Sequence, residues 1–104
     1  RLAELEGAAG GVVTGSGQSA ALLVLLTLPA SARVLAPHDC YGGTYRLLMG
    51  MADKGRLQAR FVDMTDDAAF AQALAGGAEL VWLESPSNPL MRLTDIAVRA
   101  AAAK

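Results

Sequence analysis

The chain has 104 residues, 53% of them hydrophobic, and its 9 Lys and Arg against 10 Asp and Glu leave a net charge of -1. That is at most one domain, long enough to bury about two-thirds of its unfolded surface and too apolar for a disordered segment. The scattered charge gives no electrostatic reason to expect nucleic acid or an anionic membrane as partner, and a single cysteine excludes an internal disulfide and fits a reducing compartment, the cytoplasm.

Residues 1 to 6 read as the tail of a helix, broken by Gly7, Gly10 and Gly11. Gly11-Val12-Val13-Thr14 is a short strand candidate, Gly15 to Gln18 a small-residue turn, and Ser19 to Leu28 a buried helix too short to span a bilayer. Arg33 to Pro37 follows as a strand, Thr44 to Ala52 as a helix and Arg60 to Asp63 as the next strand. Asp66 can cap a helix running through Leu74, Leu80 to Leu83 is a fully apolar strand, and Thr94 is placed to cap a last helix. Strands alternating with helices predict right-handed crossovers onto a mostly parallel sheet covered on both faces, a three-layer α/β/α fold. Two acids among the first six residues do not suit a signal peptide, and Ala100 to Lys104 stop inside a helical pattern with no C-terminal capping residue. Both ends therefore read as cut, and the chain as a piece of something longer.

Chemistry concentrates in three places. In Thr14-Gly15-Ser16-Gly17-Gln18-Ser19-Ala20 a strand, a glycine turn and a helix start succeed one another; backbone N–H groups at a helix start attract a phosphate, and glycines let the backbone come close to it. The same residues satisfy G-x-G-x-x-A with Asp39 near the next strand's end, which makes a nicotinamide-dinucleotide-binding oxidoreductase domain a competitor. A tight connection that needs small residues for packing accounts for the motif equally well. His38 to Arg46 crowds two phenols, a glycine pair and an arginine into the loop after a buried strand, where α/β proteins keep their chemistry. Tyr41 there is either a half-buried aromatic before a helix capped by Thr44 or a phenol that stacks on a flat cofactor and moves protons. Glu84-Ser85-Pro86-Ser87-Asn88-Pro89 pins a loop with two prolines, either as a plain rigid turn or to hold one side chain at a set angle to a ligand. Asp39 beside Cys40 opposes thiolate formation, and His38 has no partner at metal-ligand spacing.

Taken together, the run Ala36 to Arg46, the turn Ser16 to Ala20, and Glu84 to Pro89 followed by Asp95-Ile96 resemble the pyridoxal-phosphate enzymes of cysteine and methionine metabolism, with Ala36 to Gly43 most similar to the bacterial cystathionine γ-synthase branch. The resemblance implies an aspartate-aminotransferase-like (fold type I) architecture, with residues 1 to 104 an incomplete central part of the large, cofactor-binding domain. It implies pyridoxal 5'-phosphate as cofactor, with Gly17 and Gln18 on its phosphate, Tyr41 stacked on its ring and shuttling protons, Asn88 on its 3-hydroxyl, and Arg46 near the substrate. The implied reaction is a γ-replacement joining an O-acyl-homoserine, such as O-succinyl-homoserine, to cysteine. The family's cystathionine γ-lyases, β-lyases and O-acylhomoserine sulfhydrylases stand as alternatives. The implied assembly is a homotetramer of dimers that share active sites.

Two departures matter. The family usually has methionine where Gln18 stands, but the contact is a backbone one. Its Schiff-base lysine lies in serine–threonine–lysine surroundings that neither Lys54 nor Lys104 has. These residues alone are therefore expected to be inactive.

Overall fold

The computed structural model describes all residues, 1–104. Three parallel strands form its sheet, β1 (Ala32–Pro37), β2 (Leu57–Val62) and β3 (Leu80–Val81), in the order β2-β1-β3. The helices are α1 (Leu2–Leu5), α2 (Gly17–Leu26), α3 (Gly42–Asp53), α4 (Asp67–Ala75) and α5 (Ile96–Ala102). β1 is buried along nearly its whole length because it is paired on both edges and covered on both faces. Its alternating side chains divide the core. Val34 and Ala36 meet Leu25 of α2, Leu48 of α3 and Leu57, while Leu35 points the other way to Met64 and to Phe70 and Ala73 of α4. Three α/β/α layers result, as the alternation of elements predicts.

The connection between α4 and β3 is fixed by Arg33. Its guanidinium donates to the carbonyl of Gly76 at 2.8 Å and to Glu79 at 2.7 Å. Gly77, at φ +82, is required there, since a Cβ would stand 2.6 Å from the guanidinium. At the start of α4, buried Arg99 of α5 donates to the Met64 carbonyl at 2.9 Å and to Asp67 at 2.6 Å, with its guanidinium 4.9 Å from the centre of the Phe70 ring. The charge is tolerated inside because three partners replace its water.

Several elements differ from the sequence expectation. Gly11 to Thr14 is not a strand: it lies outside the sheet, with Val12 and Val13 77% and 83% exposed. The β-branched run Val12-Val13-Thr14 has β-propensity, but a strand exists only where a neighbour supplies hydrogen bonds. β3 stops at Val81, with one further bond from Trp82 N–H to the Leu35 carbonyl, because the chain then turns away. α2 starts at Gly17, with Ser16 as its cap. The last helix is capped by Asp95, which accepts from Val98 N–H at 3.1 Å, and not by Thr94. A carboxylate satisfies the first-turn amides and the helix dipole better than a hydroxyl does. Asp66 caps α4 as expected, accepting from Ala69 N–H. No helix is long and apolar enough to cross a membrane.

Leu48 is fully buried at the centre of the α2–α3 side of the core. Leu48→Ala is expected to cost about 2–5 kcal/mol, read from the urea midpoint of the full-length protein. The Arg33 guanidinium beside Glu79 draws that carboxyl down from its ordinary 4.5 to about 2. A depressed folded-state pKa gives stability that is present above the unfolded value and lost as pH falls through the folded one. The pair is exposed and screened, so the effect is small. Glu79→Gln is expected to flatten the stability profile in that acid window, checked by comparing urea midpoints at about pH 5 and about pH 3.

Candidate functional site

In a parallel sheet every strand ends at the same edge, and β1 and β3 send their following loops there. α2 leads into β1 through a short connection, so it runs back along the sheet and begins at that same edge. α3 begins there too, directly after β1. The glycine turn, the aromatic loop and the double-proline loop are thereby gathered at one edge.

At the start of α2, Ser16 Oγ accepts from Ser19 N–H at 3.1 Å and Ala20 N–H bonds the Ser16 carbonyl. The N–H groups of Gly17 and Gln18, first and second in the helix, keep no internal acceptor. The first turn holds no acidic residue. Two free amides at the positive end of a helix dipole suit an anion.

Tyr41 occupies the cap position of α3, so the helix starts earlier than Thr44. Its ring is about half exposed (47%), and its hydroxyl makes no hydrogen bond within the chain. Gly43 explains how the ring reaches α2. A Cβ at this position would lie 2.9 Å from Gln18 Nε2 and 3.0 Å from Tyr41 Cδ1, and closer still to Tyr41 Cε1. Only a glycine lets the Gln18 amide and the Tyr41 ring close over the backbone of α3. Arg46, one turn further on, folds its guanidinium back over this first turn, where a Cβ at Gly42 would meet its NH1 at 3.2 Å. Gly17, Gln18, Tyr41 and Arg46 are thus brought to one place.

Asn88 sits on the neighbouring loop and does not touch them. It is exposed, and its amide makes no hydrogen bond within the chain. The loop beneath it is rigidly tied: Ser87 N–H donates to the Arg92 carbonyl at 2.9 Å, Arg92 N–H to Ser87 Oγ at 3.1 Å, and Thr94 N–H to Ser85 Oγ at 3.0 Å. The peptide bonds before Pro86 and Pro89 are both cis.

Glu84 received no role from the sequence, although it opens the double-proline motif. Its Oε2 accepts from Tyr41 N–H at 2.7 Å, and its Oε1 accepts from Thr44 Oγ at 3.1 Å and from Trp82 Nε1 at 3.0 Å. In an ordinary capping box the third helical residue supplies the carboxylate that takes the cap residue's N–H. Thr44 fills that position here, and the carboxylate arrives from another strand's loop. A polar residue ending an apolar strand is the one signal that could have pointed to it.

Cys40 is buried, and that burial, followed by the charge of Glu84, pushes its thiol pKa up, which disfavours the thiolate. Asp39 has one carboxylate oxygen buried without a partner. The dinucleotide expectation loses its footing, because that fingerprint needs a strand before the glycine turn and residues 11 to 14 form none. A hollow of about 240 Å³ lined by Arg33, Arg60 and Gly76 lies elsewhere, and the Arg33 guanidinium in it is already engaged by Glu79.

A family described as Cys/Met metabolism PLP-dependent enzyme matches residues 1–104. Cystathionine gamma-synthase of Escherichia coli is 52% identical over 97 residues, which is 92% of this chain and 25% of that protein. A cystathionine beta-lyase of Staphylococcus haemolyticus is 38% identical over 104 residues, covering 100% of this chain and 27% of the relative. The solved cystathionine gamma synthase of Xanthomonas oryzae in complex with cystathionine superposes with a TM-score of 0.95 at 47% identity, covering 98% of this chain and 27% of that one. The chain thus spans about a quarter of the length of the relatives it matches.

Gly43→Ala tests the convergence of Gln18 and Tyr41 directly. The added methyl must displace the Tyr41 ring, so the near-ultraviolet dichroism of the full-length protein is expected to change, while its unfolding free energy, read by urea titration, falls by about 1–3 kcal/mol.

Proposed function

The chain belongs to the family of Cys/Met metabolism PLP-dependent enzymes, and from that premise we propose that it forms the central part of the pyridoxal-phosphate-binding large domain of a cystathionine γ-synthase-like enzyme. The observation that carries the proposal is that the Gln18 side chain and the Tyr41 ring meet over Gly43, which brings the phenol beside the start of α2, where the backbone amides of Gly17 and Gln18 are free. The higher identity to the E. coli synthase than to the S. haemolyticus β-lyase favours the synthase branch.

The residues present fit the cofactor. Gly17 and Gln18 would hold its phosphate through their backbone N–H groups, where no acidic side chain competes. Tyr41 would lie on its ring, and the free Asn88 amide would donate to its 3-hydroxyl. When bound, pyridoxal phosphate supplies an electron sink for carbanions. The protein's own part is to orient it and to manage protons. The Tyr41 phenol, unbonded within the chain, is free to hold or pass one at its hydroxyl oxygen. Arg46 offers a cation to the carboxylate of an amino-acid substrate.

The reaction we propose is a γ-replacement. The Cγ–O bond of an O-acyl-homoserine breaks, the carboxylate leaves with the electron pair, and the sulfur of cysteine bonds Cγ as its thiol proton is released, giving cystathionine. Lysine chemistry would come from beyond these residues. Lys54 stands at the far end of α3, whose 12 residues separate it from Tyr41 by about 18 Å of helix. We place the parent in the cytoplasm, as a homotetramer of dimers sharing active sites. The lone buried thiol supports a reducing compartment.

The full-length protein is expected to be yellow, to bind pyridoxal phosphate far more tightly than a nicotinamide dinucleotide, and to form cystathionine from O-succinyl-homoserine and cysteine. A colourless, cofactor-free protein that is still active would overturn the proposal. A preparation that cleaves cystathionine and never forms it would move the enzyme to the lyase branch.

A further inference from the structure

We propose that Glu84 is a positioning residue for Tyr41, setting the height and angle of the phenol above the cofactor; the proposal rests on the function just argued. Three donors converge on this carboxylate from two elements: Tyr41 N–H on Oε2, Thr44 Oγ and Trp82 Nε1 on Oε1. The Tyr41 backbone is gripped at the residue whose ring must be placed. The grip comes from the loop that also carries Asn88, so the two groups that meet the cofactor ring are referred to one rigid anchor. The Tyr41 side chain has no hydrogen bond of its own: its half-exposed ring only rests over Gly43 beside Gln18, so its placement depends on the backbone that Glu84 grips.

The carboxylate also sorts the two helix starts at this edge. α3 has no acid in its own first turn, and Glu84 supplies the negative charge there from outside. α2 has neither an acid nor such a visitor, only the neutral Ser16 cap. An incoming phosphate is therefore repelled from α3 and accepted at α2, which orients the cofactor with its ring toward Tyr41.

Glu84→Gln tests both consequences in the full-length protein. The amide keeps one acceptor oxygen and turns an NH2 toward a donor, so the Tyr41 N–H or the Thr44–Trp82 pair loses its acceptor. Hydrogen exchange at the Tyr41 amide of the cofactor-free protein is expected to speed up about tenfold or more. The visible dichroism of the bound cofactor should change, and kcat should fall by about ten- to a hundredfold with a smaller change in KM. In a Tyr41→Phe background, where the phenol is already gone, the same substitution should lower kcat by less than about threefold, since coupled residues are non-additive. Equal losses in both backgrounds would show that Glu84 supports the fold and not the phenol, and would overturn the proposal. Should E84Q not fold, Glu84→Asp keeps the charge and withdraws it by one methylene; the same spectral change is expected, and an unchanged spectrum overturns the role. A wild-type protein that takes up no pyridoxal phosphate overturns the function itself, whereas a wild type that binds it and an E84Q indistinguishable from it overturn this proposal alone.

Discussion

Two loops leave the C-terminal edge of the sheet, and one carboxylate fastens them together. Glu84 carries the charge of its own loop to the start of α3 and takes the Tyr41 N–H there at 2.7 Å. The other features of the edge depend on this closure. β3 is cut short so that the chain can turn toward α3, the Trp82 indole turns its N–H to the same carboxylate, and Gly43 is bare so that the Tyr41 ring and Gln18 can close over it. Charge-assisted bonds of this kind are shorter and stronger than neutral ones, which suits a joint that must hold an exposed aromatic still.

What the sequence made legible is what local chemistry decides. β1 announces itself as an apolar run ending at Pro37, and Asp66 as a cap, because both signals lie within a few residues of their effect. Strand and helix alternation brings Gly17, Gln18, Tyr41 and Arg46 to one edge, but the sequence singles these residues out only through the family resemblance. Where the reading failed, a distant partner decided. Residues 11 to 14 have strand composition and no neighbour, and Thr94 yields the cap to an adjacent acid. Glu84 and Arg99 are ordinary charged residues in the sequence, and only tertiary contact shows one gripping Tyr41 and the other buried over Phe70. Neither partner is near in sequence, so beyond a polar residue ending an apolar strand at Glu84 the sequence carries no sign of either contact.

Gln18 shows how a departure from a family's habit is absorbed. An amide stands where methionine is usual, and it rests against the same bare glycine backbone as the Tyr41 ring. The free backbone N–H that would meet a phosphate is unaffected by the exchange, because it belongs to the second position of a helix and not to the side chain.

The strand order carries a cost in time. β1 is the middle strand, yet it is the first of the three in the chain, and its Val34 must find Ala59 on one side and Leu80 on the other. During synthesis this segment leaves the ribosome with both edges bare; β2 can cover one of them, and the other stays open until two further strands and two helices have followed it. An apolar run of this kind is most prone to pair with a wrong partner in that interval. The residue that ends the wait is near the close of the same stretch, since β3 must dock before Glu84 can reach Tyr41. For this protein the hazard to guard against is a delay in the nascent chain, and core substitutions that leave the finished structure stable can still be harmful if they slow the arrival of the last strand.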